Sequence, residues 1–546
     1  MILIVLIKKE KIMRKINKIF VGALWALTVS GVTTSCSSDN NDDLNTIQTD
    51  AETLTDEQAL ALADNALFEY YHKAFGLSFI VETFTSKTHS FEGPESADGP
   101  LISRHELTPT NVYFVNRWYN KNSAISNANE AIEKITAANV SEQTKKVAIA
   151  RAKLARALGY HVLVRLWGEV PLYTSTDGDT KTRASIDDIY TQIVKDLEEA
   201  AEGLPETGNL PSVPTKAAAY GLLSRVYLDW GSNPLTYDQV NAIKDQTKDP
   251  TPSYTSSRLE KAIEYANKVT GYSLNSSFAS IWGKDNEAAK DEKILTFVHD
   301  GDAVGTGNHQ VHCSWTFGFN VDQENHLSPA QDSFLAAWDK ADTRRNVSYI
   351  DSLYDSLGDS LVLFRAPRTL PRYGKFVDHG SEGPNECYKL NDLDRVELRY
   401  AEVLLNKAEA LVLLGRADEA KEPINLIRQR AYGDNAHNLS SVTFDDVKRE
   451  WGLEFVYEQK EWFNLARWKE VIKDLESVKN NEYFDDSYAI AGNIGRNGQV
   501  VNEFFAKTYK HLHAKYENRQ GKYYRFPIPV GKSGESLGIS PQNPGY

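Results

Sequence analysis

The strongest constraint on this chain is a pair of helix-length apolar stripes at residues 397–430, divided by one glycine. Leu404, Ala408 and Leu411 share one face of a first helix over 397–415, and a second helix after Gly415 carries Ala420, Ile424 and Ile427. Small residues at Ala408 and Ala420 let the two helix axes approach closely, while Gly415 supplies the left-handed conformation that ends the first helix. A lone helix pair cannot bury its apolar face, so it needs stacked neighbours of the same kind. Weaker versions are present: residues 145–166 pair with 186–203 across a GEVPLYT turn at 168–174, residues 215–230 pair with 257–269, and a further pair falls within 444–475.

Counted from Ala408, these positions have the spacing of a tetratricopeptide repeat. A mainly α fold is expected, in which a tetratricopeptide-like helical-repeat scaffold covers roughly 143–270 and 397–475. Between them, over 270–395, the pattern changes to short β-prone runs such as ILTFV at 294–298, separated by Gly, Asn, Asp and Pro. A second irregular stretch spans roughly 84–115. Long irregular segments in a compact fold are generally either functional or disordered, and these two are the candidate builders of a site.

The first 35 residues read as an address. From Met13, a possible true start, Arg14, Lys15 and Lys18 precede an apolar run at 19–32 and the small residues Thr33, Thr34 and Ser35 before Cys36, the pattern of a secretory signal. The run is shorter than the twenty or so residues that span a bilayer. Cys36 directly after small residues resembles a lipobox, with Thr33 where leucine is usual, and 36–50 then form a lipidated cysteine and an acidic leash. Removing 1–35 takes away Lys8, Lys9, Lys11, Arg14, Lys15 and Lys18 against Glu10 alone, moving the net charge from −14 to −19. Such an acidic chain argues against nucleic acid and against docking on anionic lipid by charge, so the anchor is expected to be lipid. Residues 51–546 are expected to form one domain, in which Cys313 and Cys387 either pair or stay buried thiols.

Six segments carry a family resemblance: 118–135 (WYNKNSAISNANEAIEKI), 151–171 (RAKLARALGYHVLVRLWGEVP), 183–204 (RASIDDIYTQIVKDLEEAAEGL), 399–430 (RYAEVLLNKAEALVLLGRADEAKEPINLIRQR), 454–468 (EFVYEQKEWFNLARW) and 542–546 (QNPGY). In this order, behind a lipoprotein-like leader, they resemble the SusD/RagB family of Bacteroidetes outer-membrane nutrient-binding lipoproteins. Residues 457–459 depart from it, standing where a Glu-Gly step is more typical. The resemblance implies a SusD-like fold, with a helical scaffold and a loop-rich ligand-binding portion. It also implies a lipoprotein on the outer face of the outer membrane that captures oligosaccharide, or in a RagB-like alternative peptide, for a SusC-like TonB-dependent transporter. No catalysis and no cofactor are implied.

A sugar presents C–H faces and hydroxyl rims, which flat aromatics and planar polar side chains recognise. The chain has 10 Trp, 27 Tyr and 21 Phe, more than core filling needs, so some should face ligand. The stretch 307–320 (GNHQVHCSWTFGFN) offers Trp315 and Phe317 as ring platforms, with His312 and Asn320 as polar contacts. Alternating Trp315, Phe317 and Phe319 also fits one face of a strand. The first irregular segment adds Phe91, Arg104 and Tyr113. Trp118, Trp167, Trp451, Trp462 and Trp468 lie on helical patterns and are expected in the core. His309, His312 and Cys313 lack a second ligand cluster, so no metal is expected. Asp351, Asp355 and Asp359 recur every four residues and read as a solvated helix face. A surface glycoside hydrolase or a protein-binding repeat scaffold is the further alternative, and the chain holds no HExxH or P-loop.

Overall fold

The structure is a computed structural model that describes residues 54–75, 90–91, 98–286, 288–298, 327–328, 337–350, 352–354, 361–363, 372–373, 375, 394–479, 514 and 516–546. The leader, Cys36, Cys313, Cys387 and the 307–320 stretch lie outside the described residues.

The helices are α1 (Asp56–Phe75), α2 (Asp98–Ser103), α3 (Val112–Ala137), α4 (Glu142–Trp167), α5 (Ile186–Gly203), α6 (Lys216–Gly231), α7 (Tyr237–Asn241) and α8 (Ser256–Lys268). After the strand-rich stretch, which holds the short α9 (Arg344–Ser348), come α10 (Tyr400–Leu413), α11 (Lys421–Tyr432), α12 (Phe444–Glu454), α13 (Glu461–Trp468) and α14 (Val471–Lys479). Packing follows chain order: α1 lies on α3 and α4, α3 on α4, α4 on α5, α5 on α6, α6 on α8, α8 on α10, and α10 on α11 and α12. This is the stacked scaffold that the repeat spacing predicts, extended at its start by α1 and α3.

Polar caps set where these helices begin. The side chains of Ser141, Ser185 and Thr215 accept from Thr144, Asp188 and Ala218 N–H, and Thr443 with Asp446 forms a reciprocal capping box ahead of α12. Gly415, at φ +76, closes α10 as expected. Across α3 and α4 the axes come close because Gly159 has no side chain, since a Cβ there would lie 2.9 Å from Ile125 Cγ1.

One apolar core runs along the stack, from Ala66 on α1 to Ile528 near the end of the chain. Each Leu or Ile buried in it contributes about 1.5–3 kcal/mol. Trp118, Trp167, Trp451, Trp462 and Trp468 are all buried within it, Trp118 edge-on to Trp167 at 5.2 Å and Trp462 stacked on Phe526 at 5.1 Å. The terminal QNPGY seals this core. Gln542 accepts from Ile528 N–H and donates back to Ile528 O at 2.6 and 2.8 Å. Asn543 Nδ2 donates to Trp167 O and Phe526 O. Arg183 donates to Asn543 Oδ1. Three of the sequence segments that carry the resemblance thus meet at the end of α4.

Two expectations need correction. The strands among the described residues are β1 (Ser90–Phe91), β2 (Lys293–Phe297), β3 (Leu327–Ser328), β4 (Tyr349–Ile350), β5 (Ser352–Tyr354), β6 (Leu361–Leu363), β7 (Arg372–Tyr373) and β8 (Arg395–Arg399), so 397–399 are strand and the helix starts at Tyr400. The alternation of Val396 and Leu398 is taken up by antiparallel pairing with β2 (Lys293–Phe297), in the register Lys293↔Arg399 to Phe297↔Arg395. Neighbouring Asp351, Asp355 and Asp359, the strand Ser352–Tyr354 pairs with Leu361–Leu363 where a helix face was expected. The three aspartates themselves lie outside the described residues.

Candidate functional site

Two sets of contacts position the irregular segments. The first is the β2–β8 ladder, which ties together the two ends of the 298–394 excursion at one place on the scaffold. The second is a two-residue ladder, Ser90↔Ser328 and Phe91↔Leu327, which joins the first irregular segment to the excursion. Phe91, predicted as a ligand contact, therefore sits on a strand whose partner follows closely after the 307–320 stretch. Trp315, His312, Asn320 and Phe317 lie outside the described residues.

Arg104 and Tyr113 are placed in full. Arg104 grips Glu106 with two bonds, Nε to Oε1 at 2.9 Å and Nη2 to Oε2 at 3.1 Å. Its carbonyl accepts from Asn518 Nδ2 at 2.8 Å, and Tyr523 donates to the carbonyl of His105. The His105 ring lies edge-on to Tyr523, with centroids 4.7 Å apart. The first segment is thereby clamped to the chain's last segment. Tyr113 is buried in the first turn of α3, which begins at Val112, so the irregular stretch ends at Asn111. Asn111 accepts from Tyr113 N–H and Asp98 from Val112 N–H. Burial and the Asp98 charge push the Tyr113 phenol up to about 12, so it stays protonated at neutral pH.

Beneath the excursion lies a feature that the sequence reading did not single out, a buried network of five cations and five carboxylates. Arg344 meets Asp342 at 2.6 Å, Glu450 at 2.9 Å and Glu454 at 3.1 Å. Arg399, at the end of β8, meets Glu292 at 2.9 Å, Glu454 at 2.5 Å and Glu458 at 2.8 Å. Arg430 meets Glu292 at 2.9 Å and also Glu454. Lys375 holds Glu458 and the Glu454 carbonyl at 2.8 Å each, and Arg428 reaches Glu450 at 2.6 Å. Burial alone would raise the Glu454 and Glu458 carboxyls; the adjacent guanidiniums, with Lys375 beside Glu458, overcome it and hold both below the usual range. Burial pulls the Lys375 ammonium down to about 8, and Glu458 limits the fall.

These carboxylates are charge-compensated and shut away from solvent, so they neither exchange protons with a substrate nor attack one. Their work is positional, since they bind the excursion (Asp342, Arg344, Lys375) and its β2–β8 base (Glu292, Arg399) to α11 and α12. Glu450, Glu454 and Glu458 follow one another at a spacing of four, which was the available signal. Among the described residues no group of three or more His, Cys, Asp or Glu is placed to hold a metal ion, and no helix is long and apolar enough to cross a membrane.

A stacked helical frame with a long excursion clamped at its base defines a class of helical-repeat proteins that carry an irregular portion on a fixed scaffold. The chain belongs to the SusD family, whose model matches residues 256–546. A second family model, described as "Starch-binding associating with outer membrane", matches residues 36–228. The chain is 24% identical to SusD-like protein P2 of Formosa agariphila over 462 residues, covering 79% of this chain and 80% of that one. Among solved structures it resembles a SusD superfamily protein from Parabacteroides distasonis, with TM-score 0.67, 21% identity, and 90% and 99% of the two chains covered. It also resembles surface glycan-binding protein A of Bacteroides thetaiotaomicron in complex with laminarihexaose, with TM-score 0.64, 18% identity, and 90% and 100% covered. At these identities the structural likeness establishes a shared fold, the SusD-like helical scaffold expected from the sequence.

Proposed function

We propose that this protein captures oligosaccharides at the cell surface and hands them to a SusC-like TonB-dependent transporter in the outer membrane, held there by lipid on Cys36 after loss of residues 1–35. The observation that carries the reading is the ladder between Phe91 and Leu327, which brings the two irregular segments to one place on the scaffold. Family membership and a fold shared with a protein solved with laminarihexaose support a sugar ligand. In this reading Trp315 and Phe317 supply ring faces, His312 and Asn320 bind hydroxyls, and Phe91 completes the rim from the first segment, which the buried Tyr113 and the Glu106-bound Arg104 brace from behind. Residues 51–546 act as one domain, the ligand is not chemically changed, and no cofactor takes part.

A panel of glycans and peptides screened for binding to the purified protein tests this. Retention of a glycan, weakened about tenfold by Trp315→Ala and released without cleavage, is the expected result; one lost aromatic platform of about 1.4 kcal/mol gives that factor. Retention of peptides alone would transfer the reading to RagB-like peptide capture, and turnover of any glycan would refute the non-enzymatic role. Separately, Cys36→Ala should release the protein from membranes, and continued fractionation with them would refute the anchor.

A further inference from the structure

Where α11 ends, an imidazole is held flat with one side toward solvent. The His437 ring lies on that of Tyr432, with centroids 3.9 Å apart and planes 6° from parallel. Its Nδ1 stands 3.0 Å from Asp434 Oδ1. This bond, first among the causes, holds the Asp434 carboxyl below its usual range, so the partner is a carboxylate and the ring nitrogen donates. In the neutral ring Nε2 is then an acceptor, and it has no partner among the described residues. Tyr432 covers one face, so the 36% exposure of the His437 side chain comes from the opposite face and the Nε2 edge.

The ring is braced from several directions. Gly433, at φ +77, turns the chain out of α11. Asn425 donates to Leu439 O at 3.0 Å and accepts from Leu439 N–H at 2.8 Å, and Gln429 donates to Asn438. Arg428 Nε donates to His437 O at 2.7 Å, while its Nη1 holds Glu450 of the buried network at 2.6 Å. Thr343, on the excursion, donates from N–H and Oγ1 to Ala431 O, at 2.9 and 2.7 Å. The network that seats the excursion's base therefore also seats this ring, at the excursion's margin. Local packing accounts for the Tyr432 contact. It does not account for restraining a ring whose other face is in water, since restraint gives up rotamer entropy that a free exposed side chain keeps. A ring ordered in advance loses less of that entropy when a ligand arrives.

We propose that the outer face of His437, with Nε2 and the half-exposed Asp434, takes one sugar ring of the captured glycan at the excursion's margin. The proposal rests on the reading that the ligand is an oligosaccharide. The C–H face of a pyranose matches a flat ring of this kind, and its hydroxyls, as donors, match the Nε2 lone pair and the Asp434 carboxylate. The contact is additional to the aromatic stretch at 307–320 and does not replace it.

Labelling of the wild-type protein with diethyl pyrocarbonate, which acylates exposed imidazole nitrogens, tests this when read residue by residue with and without a retained glycan. The glycan comes from a panel that starts with laminarihexaose and xylogluco-oligosaccharide. At saturation it should slow labelling of His437 severalfold, and an unchanged rate would overturn the proposal. Titrated with the same glycan, His437→Ala should bind about fivefold more weakly, and His437→Phe, which keeps the ring face, should lose less. Affinity that falls with Trp315→Ala but not with His437→Ala would overturn this site alone. Retention of no glycan by the wild type would overturn the oligosaccharide reading and the site together. Should His437→Ala fail to fold, the labelling of the wild type decides.

Discussion

The seam between α4 and α5 and the seam between the excursion's base and α12 are held by different physics. The first is apolar, with Ala155, Ile189, Ile193, Leu197 and Ala200 buried along it and one internal ion pair, Arg156 to Asp196 at 2.7 Å. The second rests on ten charged groups shut inside the protein. Apolar contact is nearly non-directional and tolerates small shifts, which suits helices that only need to stack. The excursion's base is a strand pair, where a slip of one residue would turn every side chain to the wrong face. Charges that must each find a partner at bonding distance exclude that slip, because any other register leaves a buried ion unpaired. The contrast suggests that the scaffold is built for stability and the excursion's base for position.

The largest effect that sharpens this contrast is expected from Glu454→Ala. It strips a shared partner from Arg344, Arg399 and Arg430 and should cost about 3–5 kcal/mol in urea unfolding. Ile193→Ala in the apolar seam should cost about 3 kcal/mol, and the two should add, since neither shares a partner with the other. A strong coupling between them would break the separation of the seams.

Acid should discriminate next. Burial works to raise Glu397, but the positive charges of Arg225, Lys460 and Arg395 prevail and hold it at about 2, against its ordinary 4.5. A carboxylate held low contributes stability that is complete above the unfolded value and is lost as pH falls through the folded one. By pH 3 about 2 kcal/mol should be gone from this group. Asp196 in the apolar seam is shifted upward by burial and adds no such loss. Amide exchange at pH 3 should therefore open α10 before α4 and α5, and the reverse order would contradict the contrast. The smallest effect is expected from Thr443→Ala, which removes one capping bond at α12 and should cost about 1 kcal/mol in the same unfolding assay.

The scaffold was legible in the sequence because its information is local. The expected 186–203 matches Ile186–Gly203 to the residue, and the expected 257–269 matches Ser256–Lys268 to within one. Residues 397–399 carry a helical pattern in the sequence yet are strand, because their partner strand begins at Lys293, about a hundred residues earlier, and pairing across that distance leaves no local trace. The charge network escaped for the same reason, since a Glu at every fourth position looks like a solvated helix face until the guanidiniums of distant segments close over it. Tyr457 and Gln459, standing where the family more often has a Glu-Gly step, adopt φ of 62° and 60°, values that glycine reaches at least cost. Of the candidate site, Arg104 and Tyr113 could be placed, while the aromatic stretch at 307–320 stands on its residue pattern alone.

Hydrogen exchange of the purified protein with and without the oligosaccharide it retains tests the central claim most directly. The account predicts that added protection concentrates in 84–111 and 307–320, with α4, α5, α6 and α8 unchanged. Protection confined to those helices, with both irregular segments unaffected, would contradict it.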